Sequence, residues 1–308
     1  MGNTPLVSVV MSVYNGARYL RQAVDSILNQ SYSNFEFIII EDGSTDDSMA
    51  IINTYQDSRI RLIDNVGNLG LPTSLNRGIR EAKGKYIARQ DADDISLPHR
   101  LQRQVEWLDS QENIGATGTW ALEIDMNGRI FNKQKFIGDS ESQLQQLLRD
   151  GLNPWPHGSA MMRKDLVIDV GGYDERFWYT QDFDLWLRLW SHCEFKVFPE
   201  YLYKLRSVPV ETTFKKLCQS EYFYWAVRQF NEKERIDFPD VRECVRNKFP
   251  EATTKHTLHL AKYWASLALF ALKNRRWAPS ILYLLTMLKA LFFWLVSRAL
   301  LNRVRARN

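Results

Sequence analysis

The sequence predicts an α/β fold: a mostly parallel sheet flanked by helices, followed by an α-helical C-terminal extension. Three observations carry that expectation. Short runs rich in β-branched and aromatic residues alternate with helical patterns through the first 124 residues. Two acidic turns, "EDGSTDD" and "DADD", each follow a strand pattern, at the carboxyl edge where open α/β sheets take their ligands. From about residue 212 onward the pattern is almost wholly helical.

The elements follow in order. "LVSVVMSVY" (6–14) reads as a buried strand, and "GARYLRQAVDSILNQ" (16–30) as a helix with Leu20, Val24, Ile27 and Leu28 on one face. "FEFIIIED" (35–42) is the second strand, and "STDDSMAIINTYQ" (44–56) a helix opened by a Ser/Thr/Asp cap. "RIRLID" (59–64), "LPTSLNRGIREAKG" (71–84) and "KYIARQD" (85–91) add a strand, a helix and a strand. "LPHRLQRQVEWLDSQ" (97–111) is a fourth helix and "IGATGTWALEI" (114–124) a fifth strand. This succession requires parallel pairing with helices on both faces. Beyond residue 120 the pattern loosens. Asn127-Gly128 marks a hairpin, 139–150 a short capped helix, "HGSAMMRKD" (157–165) a strand entering a turn, and 182–193 a helix. The expected division is a domain over 1–210, with a nucleotide-binding half (1–120) and an acceptor-binding half (121–210), and a helical region over 211–308.

Bulk composition narrows the function. At 45% hydrophobic and 25% charged the chain is globular, not disordered. The net charge of +4 is mild, and the closing "LLNRVRARN" is basic without an acid. With no basic stripe through the body, that tail favours an anionic lipid surface over nucleic acid. Cys193, Cys218 and Cys244 form no CxxC pair, which speaks against a disulfide framework or a zinc site and fits a reducing cytosol. The first residues lack a basic n-region and a cleavage site, so the leading apolar run is a strand rather than a signal peptide.

"YIARQDADD" places Asp91, Asp93 and Asp94 within four positions, and like charges that close need a neutralising cation. Residues i and i+2 of an extended segment point the same way, so Asp91 and Asp93 can converge as hard oxygen ligands for Mg²⁺ or Mn²⁺. The other reading is a solvated acidic turn in which Asp94 caps the next helix. Arg89 is expected to pair with Asp94 or with a phosphate, the ion pair being preferred. In "EDGSTDD", Asp42 is either a turn residue or an acceptor for a base edge or ribose. The Gly/Asn loop "GNLGLPTSLNRG" (67–78), with Asn68, lies beside the same cleft.

"VSVVMSVYNGARYLRQAVDSILNQ", "IIIEDGSTDDS", "NLGLPTSLNRGIREAKGKYIARQDADD" and "GGYDERFWYTQDFDLWLRL" occur in the order found in family 2 glycosyltransferases, and over roughly residues 6–205 the chain closely resembles them. The resemblance implies a GT-A fold, Rossmann-like, and inverting transfer of a sugar from a nucleotide-sugar donor to a glycan or lipid-linked acceptor. It implies nucleoside contacts at Val13, Tyr14 and Asn15, a base contact at Asp42, a further donor contact at Asn68, and a D-x-D motif at Asp91-Ala92-Asp93. In that motif Asp93 is the direct metal ligand, with Asp91 nearer the ribose. The family's late Glu-Asp pair reads Gln181-Asp182 here, which leaves Asp182 as the catalytic base. Asp184 is assigned to the helix start, where carboxylates favour the dipole. His157 aligns with an acceptor-lining strand. The aromatics of "RFWYTQDFDLW" (176–186), Trp178 above all, offer a sugar or lipid platform, and Trp186 belongs to the core.

Two other classes compete. A sugar-1-phosphate nucleotidyltransferase needs a glycine-rich, Arg-containing loop after the first strand, which "SVYNGARYL" does not supply. A glycan- or nucleotide-sugar-binding protein that has lost its chemistry fits Gln181 but not the retained Asp91, Asp93 and Asp182. No GxxxxGK[ST] is present, which excludes P-loop enzymes. In the C-terminal region, 281–301 is long enough to cross a bilayer, yet Lys289 lies near its middle at a cost of about 3 kcal/mol. Trp294, Arg298 and the arginine tail suit an interfacial anchor on the inner face of the cell membrane, with a packed hairpin and a true span as the alternatives.

Overall fold

The computed structural model describes residues 6–136 and 153–207, with isolated positions at 143, 148 and between 219 and 241. Its central strand, Val7–Val13 (β1), is buried except at Ser12 because both faces are covered. Odd-numbered β1 residues join one core with Leu20, Ala23, Val24 and Ile27 of Ala17–Leu28 (α1) and with Leu101, Val105 and Leu108 of Arg100–Ser110 (α4). The even-numbered Val10 faces the opposite helix, Leu71–Glu81 (α3). There a Cβ on Gly78 would come within 2.6 Å of Val10 Cγ1 and 2.7 Å of Ile40 Cδ1, so the helix backbone rests directly on the sheet. Period-two alternation thus feeds two cores from one strand.

β1 lies parallel to Phe35–Glu41 (β2) on one side and to Tyr86–Arg89 (β4) on the other, and Ile60–Asp64 (β3) extends the sheet beyond β2. The second half is mixed. Met161–Arg163 (β8) pairs antiparallel with β4 and with Ile114–Ile124 (β6), while Glu194–Arg206 (β9) runs parallel to β6. Ile130–Gln134 (β7) forms the expected hairpin with β6 around Gly128, whose φ is +80°. Ile95–Ser96 (β5) closes onto β9, giving the order β3-β2-β1-β4-β8-β6-β9-β5, with β7 on β6.

Several expectations need correcting. The fifth predicted strand, β6, is not beside β4, because β8 inserts antiparallel between them. The helix expected over 44–56 is only Ser48–Ile52 (α2), and neither Ser44 nor Thr45 caps it. Residues 43–46 are held as a turn instead. Glu41 accepts from the Gly43 and Ser44 amides (3.0 and 2.8 Å), Asn15 Oδ1 from the Thr45 amide (2.8 Å), and Asp46 Oδ2 takes the Ala17 amide (3.0 Å). The turn expected after β8 is a short helix, Lys164–Asp169 (α5). The helix expected over 182–193 spans Gln181–Trp190 (α6).

The chain divides into two compact units, Met1–Pro209 with Phe223–Arg235, and Val210–Tyr222 with Ile236–Asn308. In the second, the described Tyr222 and Phe238 rings meet edge to face at 6.2 Å. Of the helix expected over 139–150, Gln143 and Leu148 are described, both helical, and Leu148 is buried. The expected anchor over 281–301 and the basic tail lie outside the described residues. Among the described residues no helix is long and apolar enough to cross a membrane.

Candidate active site

The acidic triplet sits where β4 ends, and the fold surrounds it with arginines. Arg89 is buried, and its Nη2 donates to Asp91 Oδ1 at 2.6 Å. The expected Arg89–Asp94 pair is therefore not formed. Asp94 is turned beneath the strand end, 2% exposed, with Oδ1 accepting the Arg206 amide at 2.6 Å. It does not cap the next helix. Arg206 Nε donates to the Asp93 carbonyl at 2.7 Å, and the Tyr203 hydroxyl accepts the Asp91 amide at 3.3 Å while bonding the Asp94 carboxyl. Below them Arg100, fully buried, donates to Ser96 Oγ (2.7 Å) and to the carbonyls of Gly158 (2.9 Å) and Arg89 (2.6 Å). Two unit charges 4 Å apart interact by about 4 kcal/mol at an effective dielectric near 20, so a triplet without these cations would strain the fold.

The three carboxyls are not equivalent. Burial, then Asp93 and Asp91, pushes Asp94 well above the usual carboxylate range. Burial and the neighbouring Asp91 raise Asp93 to about 6. Asp93 forms no ion pair among the described residues. Asp91 has one oxygen on Arg89 and the other against Gly158, where a Cβ would stand 2.6 Å from Oδ2. An acidic oxygen pair with one half-neutralised member suits a hard divalent cation that completes its shell with phosphate and water. Among the described residues no group of three or more His, Cys, Asp or Glu side chains gathers as a metal site, so the fit to Mg²⁺ or Mn²⁺ rests on Asp93 and one oxygen of Asp91 alone.

The next three strand ends form the nucleoside edge of the expectation. Val13 is buried, and its carbonyl accepts the Asp42 amide at 2.8 Å. Tyr14 is half exposed, and Asn15 adopts φ +52° with its side chain clamping Thr45. Asp42 is 2% exposed. Its Oδ1 accepts from Asn65 Nδ2 (2.7 Å) and the Leu69 amide (2.9 Å), and Oδ2 from the Gly70 amide (3.0 Å). In this state Asp42 fixes the 65–70 loop. Asn68 stands exposed at the loop's tip.

The opposite wall carries Asp182 in the first turn of α6, half-buried, with Oδ2 accepting from Asn153 Nδ2 at 2.8 Å. Gln181 beside it is buried. Asp184 is bound within its own helix, to Arg188 at 2.6 Å, and burial raises it. Thr180, which precedes the helix, has φ +66°, an outlying conformation for a β-branched residue. His157 lies in the turn His157–Ser159, its Nε2 2.7 Å from the Tyr173 hydroxyl. Burial, with Arg89 adding to it, holds the imidazole down at about 4, while Asp182 and Asp91 both pull the other way. The ring is thus within electrostatic reach of both carboxylates, one from each wall. Of the aromatic run, Phe177 is core, not platform, since it is fully buried. Trp186 is core as expected, and Trp178 is half-buried.

Sequence reasoning missed Arg100, Tyr203, Arg206 and Asn153. Tyr203 and Arg206 belong to β9, whose run "EFKVFPEYLYKLR" carries the aromatic enrichment of a strand. Pro199 and a register shift where β6 pairs Thr119 with Phe198 and Trp120 with Tyr201 break its alternation.

The family model described as Glycosyl transferase family 2 matches residues 8–171. The putative glycosyltransferase EpsE of Bacillus subtilis is 38% identical over 217 residues, 67% of this chain and 74% of EpsE. The O-antigen biosynthesis glycosyltransferase WbnJ of Escherichia coli is 31% identical over 240 residues, 75% of this chain and 91% of WbnJ. The crystal structure of S. aureus TarS 1–349 with UDP-GlcNAc superposes with a TM-score of 0.61 at 16% identity, covering 91% of this chain and 90% of that one. The mannosyltransferase PcManGT from Pyrobaculum calidifontis, in complex with GDP-Man and Mn²⁺, gives 0.55 at 16% identity, covering 94% and 88%. At that identity the structural likeness establishes the fold, which is GT-A.

Proposed function

The chain belongs to glycosyl transferase family 2 and is a glycosyltransferase, and on that premise we propose that it moves a sugar from a nucleoside-diphosphate sugar to a hydroxyl of a glycan or lipid-linked acceptor. The reading takes a UDP-sugar as first donor candidate, inversion at the anomeric carbon, and a place in cell-envelope or exopolysaccharide synthesis at the cytoplasmic face of the membrane. Residues 1–210 carry the chemistry and 211–308 the membrane attachment. The name of WbnJ supports the polysaccharide assignment, and the complexes of TarS and PcManGT support a nucleotide-sugar donor.

The observation that carries the reading is the asymmetry of the acidic triplet. Asp94 and Asp91 are tied to protein donors, while Asp93 is raised and has no ion pair among the described residues. Asp93 and the second oxygen of Asp91 would hold Mg²⁺ or Mn²⁺. The bound ion would supply electrostatic stabilisation to a departing diphosphate. Asp182 accepts the proton of the acceptor hydroxyl as that oxygen bonds to the anomeric carbon and the nucleoside diphosphate leaves from the opposite face. Asn153 orients the carboxylate for this. Neutral His157 lies near both carboxylates without adding charge. Val13, Tyr14, Asn15, Asn68 and the loop gripped by Asp42 line the nucleoside side, and Gln181 flanks the acceptor side, with Trp178 in the segment that leads to it. A second reading, a nucleotide-sugar-binding protein without turnover, is favoured by Gln181 alone.

Calorimetry with UDP, GDP and dTDP, each with Mn²⁺ or EDTA, tests the donor site. One nucleotide should bind only with the metal, and Asp93→Ala should abolish it. Binding that ignores both EDTA and Asp93→Ala would overturn the metal–diphosphate reading.

A further inference from the structure

The loop that faces the nucleoside side and the segment that leads to Asp182 are fastened together at two points along the start of α3. At the start of α3, Gly70 has φ +88° and gives its amide to Asp42. A Cβ added there would stand 3.0 Å from Trp178 Cη2 and 3.1 Å from Cζ3, so the six-membered ring of the indole lies against the Gly70 backbone. Less than two turns along α3, the buried Asn76 grips Tyr173 from both sides. Its Oδ1 accepts the Tyr173 amide and its Nδ2 donates to the Tyr173 carbonyl, each at 2.8 Å. Nδ2 also reaches Glu175 Oε1 at 3.1 Å. Two residues after Trp178 the chain passes through the strained Thr180 and enters α6 with Asp182 in its first turn.

We propose that Trp178 is a positioning residue that makes the placement of Asp182 depend on donor occupancy, rather than a platform for the acceptor. The inference rests on the donor and base assignments above. Tyr173 is held by two hydrogen bonds whatever the loop does, so the 172–175 end is fixed. The 178–180 end is tied to the nucleoside-side loop by contact with a residue that lacks a side chain. A nucleotide that bears on 67–70, a loop already held by Asp42, therefore presses on Trp178, and the αL turn at Thr180 is where the displacement is taken up. Strain held at such a turn is expected where a segment has two arrangements to choose between. The acceptor then meets an aligned base only after the donor is in place.

Amide hydrogen exchange on the full chain tests this, read over 67–71 and 172–182 with and without UDP, GDP or dTDP plus Mn²⁺. In the wild type the nucleotide that binds should slow both segments. In Trp178→Ala it should slow only the first, and in Trp178→Phe, which keeps a ring over Gly70, both again. The ratio of bound to free rates is the readout, since a merely structural role would raise both rates in 172–182 and leave the ratio alone. Equal slowing of 172–182 in Trp178→Ala, or a wild type that slows only at 67–71, would overturn the inference. Slowing nowhere with any nucleotide would instead strike the donor-site reading itself, and the inference with it.

Discussion

The two walls of the cleft are built differently. The donor wall stands on the ends of the parallel strands β1, β2, β3 and β4, and of its carboxylates Asp42 is tied to backbone amides and Asp91 to an arginine. The acceptor wall is a loop, a short turn and the start of a helix, and the carboxylate assigned as base has one hydrogen-bonded side-chain partner among the described residues, Asn153. The difference teaches a division of labour. A diphosphate site must exist before substrate arrives, and its geometry must not relax, because electrostatic stabilisation depends on preorganised charge. A base that meets a varied acceptor can be set on a segment that adjusts.

That contrast can be broken by removing one tie from each wall. On the donor wall, Arg206→Ala strips hydrogen bonds to the Asp93 carbonyl, the Asp125 carbonyl and Gln22 Oε1, and uncovers the Tyr19 ring that its guanidinium overlies at 4.1 Å. Three part-buried acceptors left without this partner, together with the lost packing on Tyr19, make this cost about 3 kcal/mol, a Tm fall of roughly 10 °C by calorimetry. A loss within the error of the scan would mean that the triplet is solvated, not braced.

His157, which lies within reach of both walls, sharpens the contrast through pH. The folded protein refuses a proton there until about pH 4, whereas the unfolded chain takes it up near 6.5. Its contribution to stability is therefore complete above pH 6.5 and is lost as pH falls toward 4. Denaturant unfolding of His157→Gln should show a shallower acid loss than the wild type across that window, by an amount on the order of 2 to 3 kcal/mol. Parallel curves would place His157 in ordinary solvent.

The smallest effect is expected from the acceptor wall's own tie. Asn153→Ala leaves Asp182 chemically intact but freer to turn, so kcat should fall about tenfold, as for loss of one exposed hydrogen bond, with nucleotide affinity unchanged. Weakened nucleotide binding in this variant would show that Asn153 also bears on the donor site.

The same contrast explains what was legible in the sequence. The donor wall follows from local pattern. β1, β2, β3, α1 and α3 fall within a few residues of expectation because strands such as β1 and β2, buried on both faces, and amphipathic helices each write their pattern into consecutive residues. The turns at their ends carry the acidic motifs. What braces those motifs was hidden, since Tyr203 and Arg206 reach Asp91 and Asp94 across 112 residues of chain. Periodicity carries no information about such pairings. β8, three residues long, and β5, two, are too short to show a period at all, and β8 is what turns the sheet from parallel to mixed. Phe177 reads as an exposed aromatic because its neighbours look like a loop, and only the packing reveals it as core.

The most direct test of the division between the walls is to measure Asp182→Asn twice, for affinity toward the nucleotide that the calorimetric panel selects and for turnover of the matching donor. The account predicts an unchanged Kd together with a fall in kcat of about 10²–10⁴-fold, the range for a lost general base. Turnover that survives intact, or nucleotide binding lost along with it, would contradict the assignment of Asp182 as the base and the division of labour between the walls.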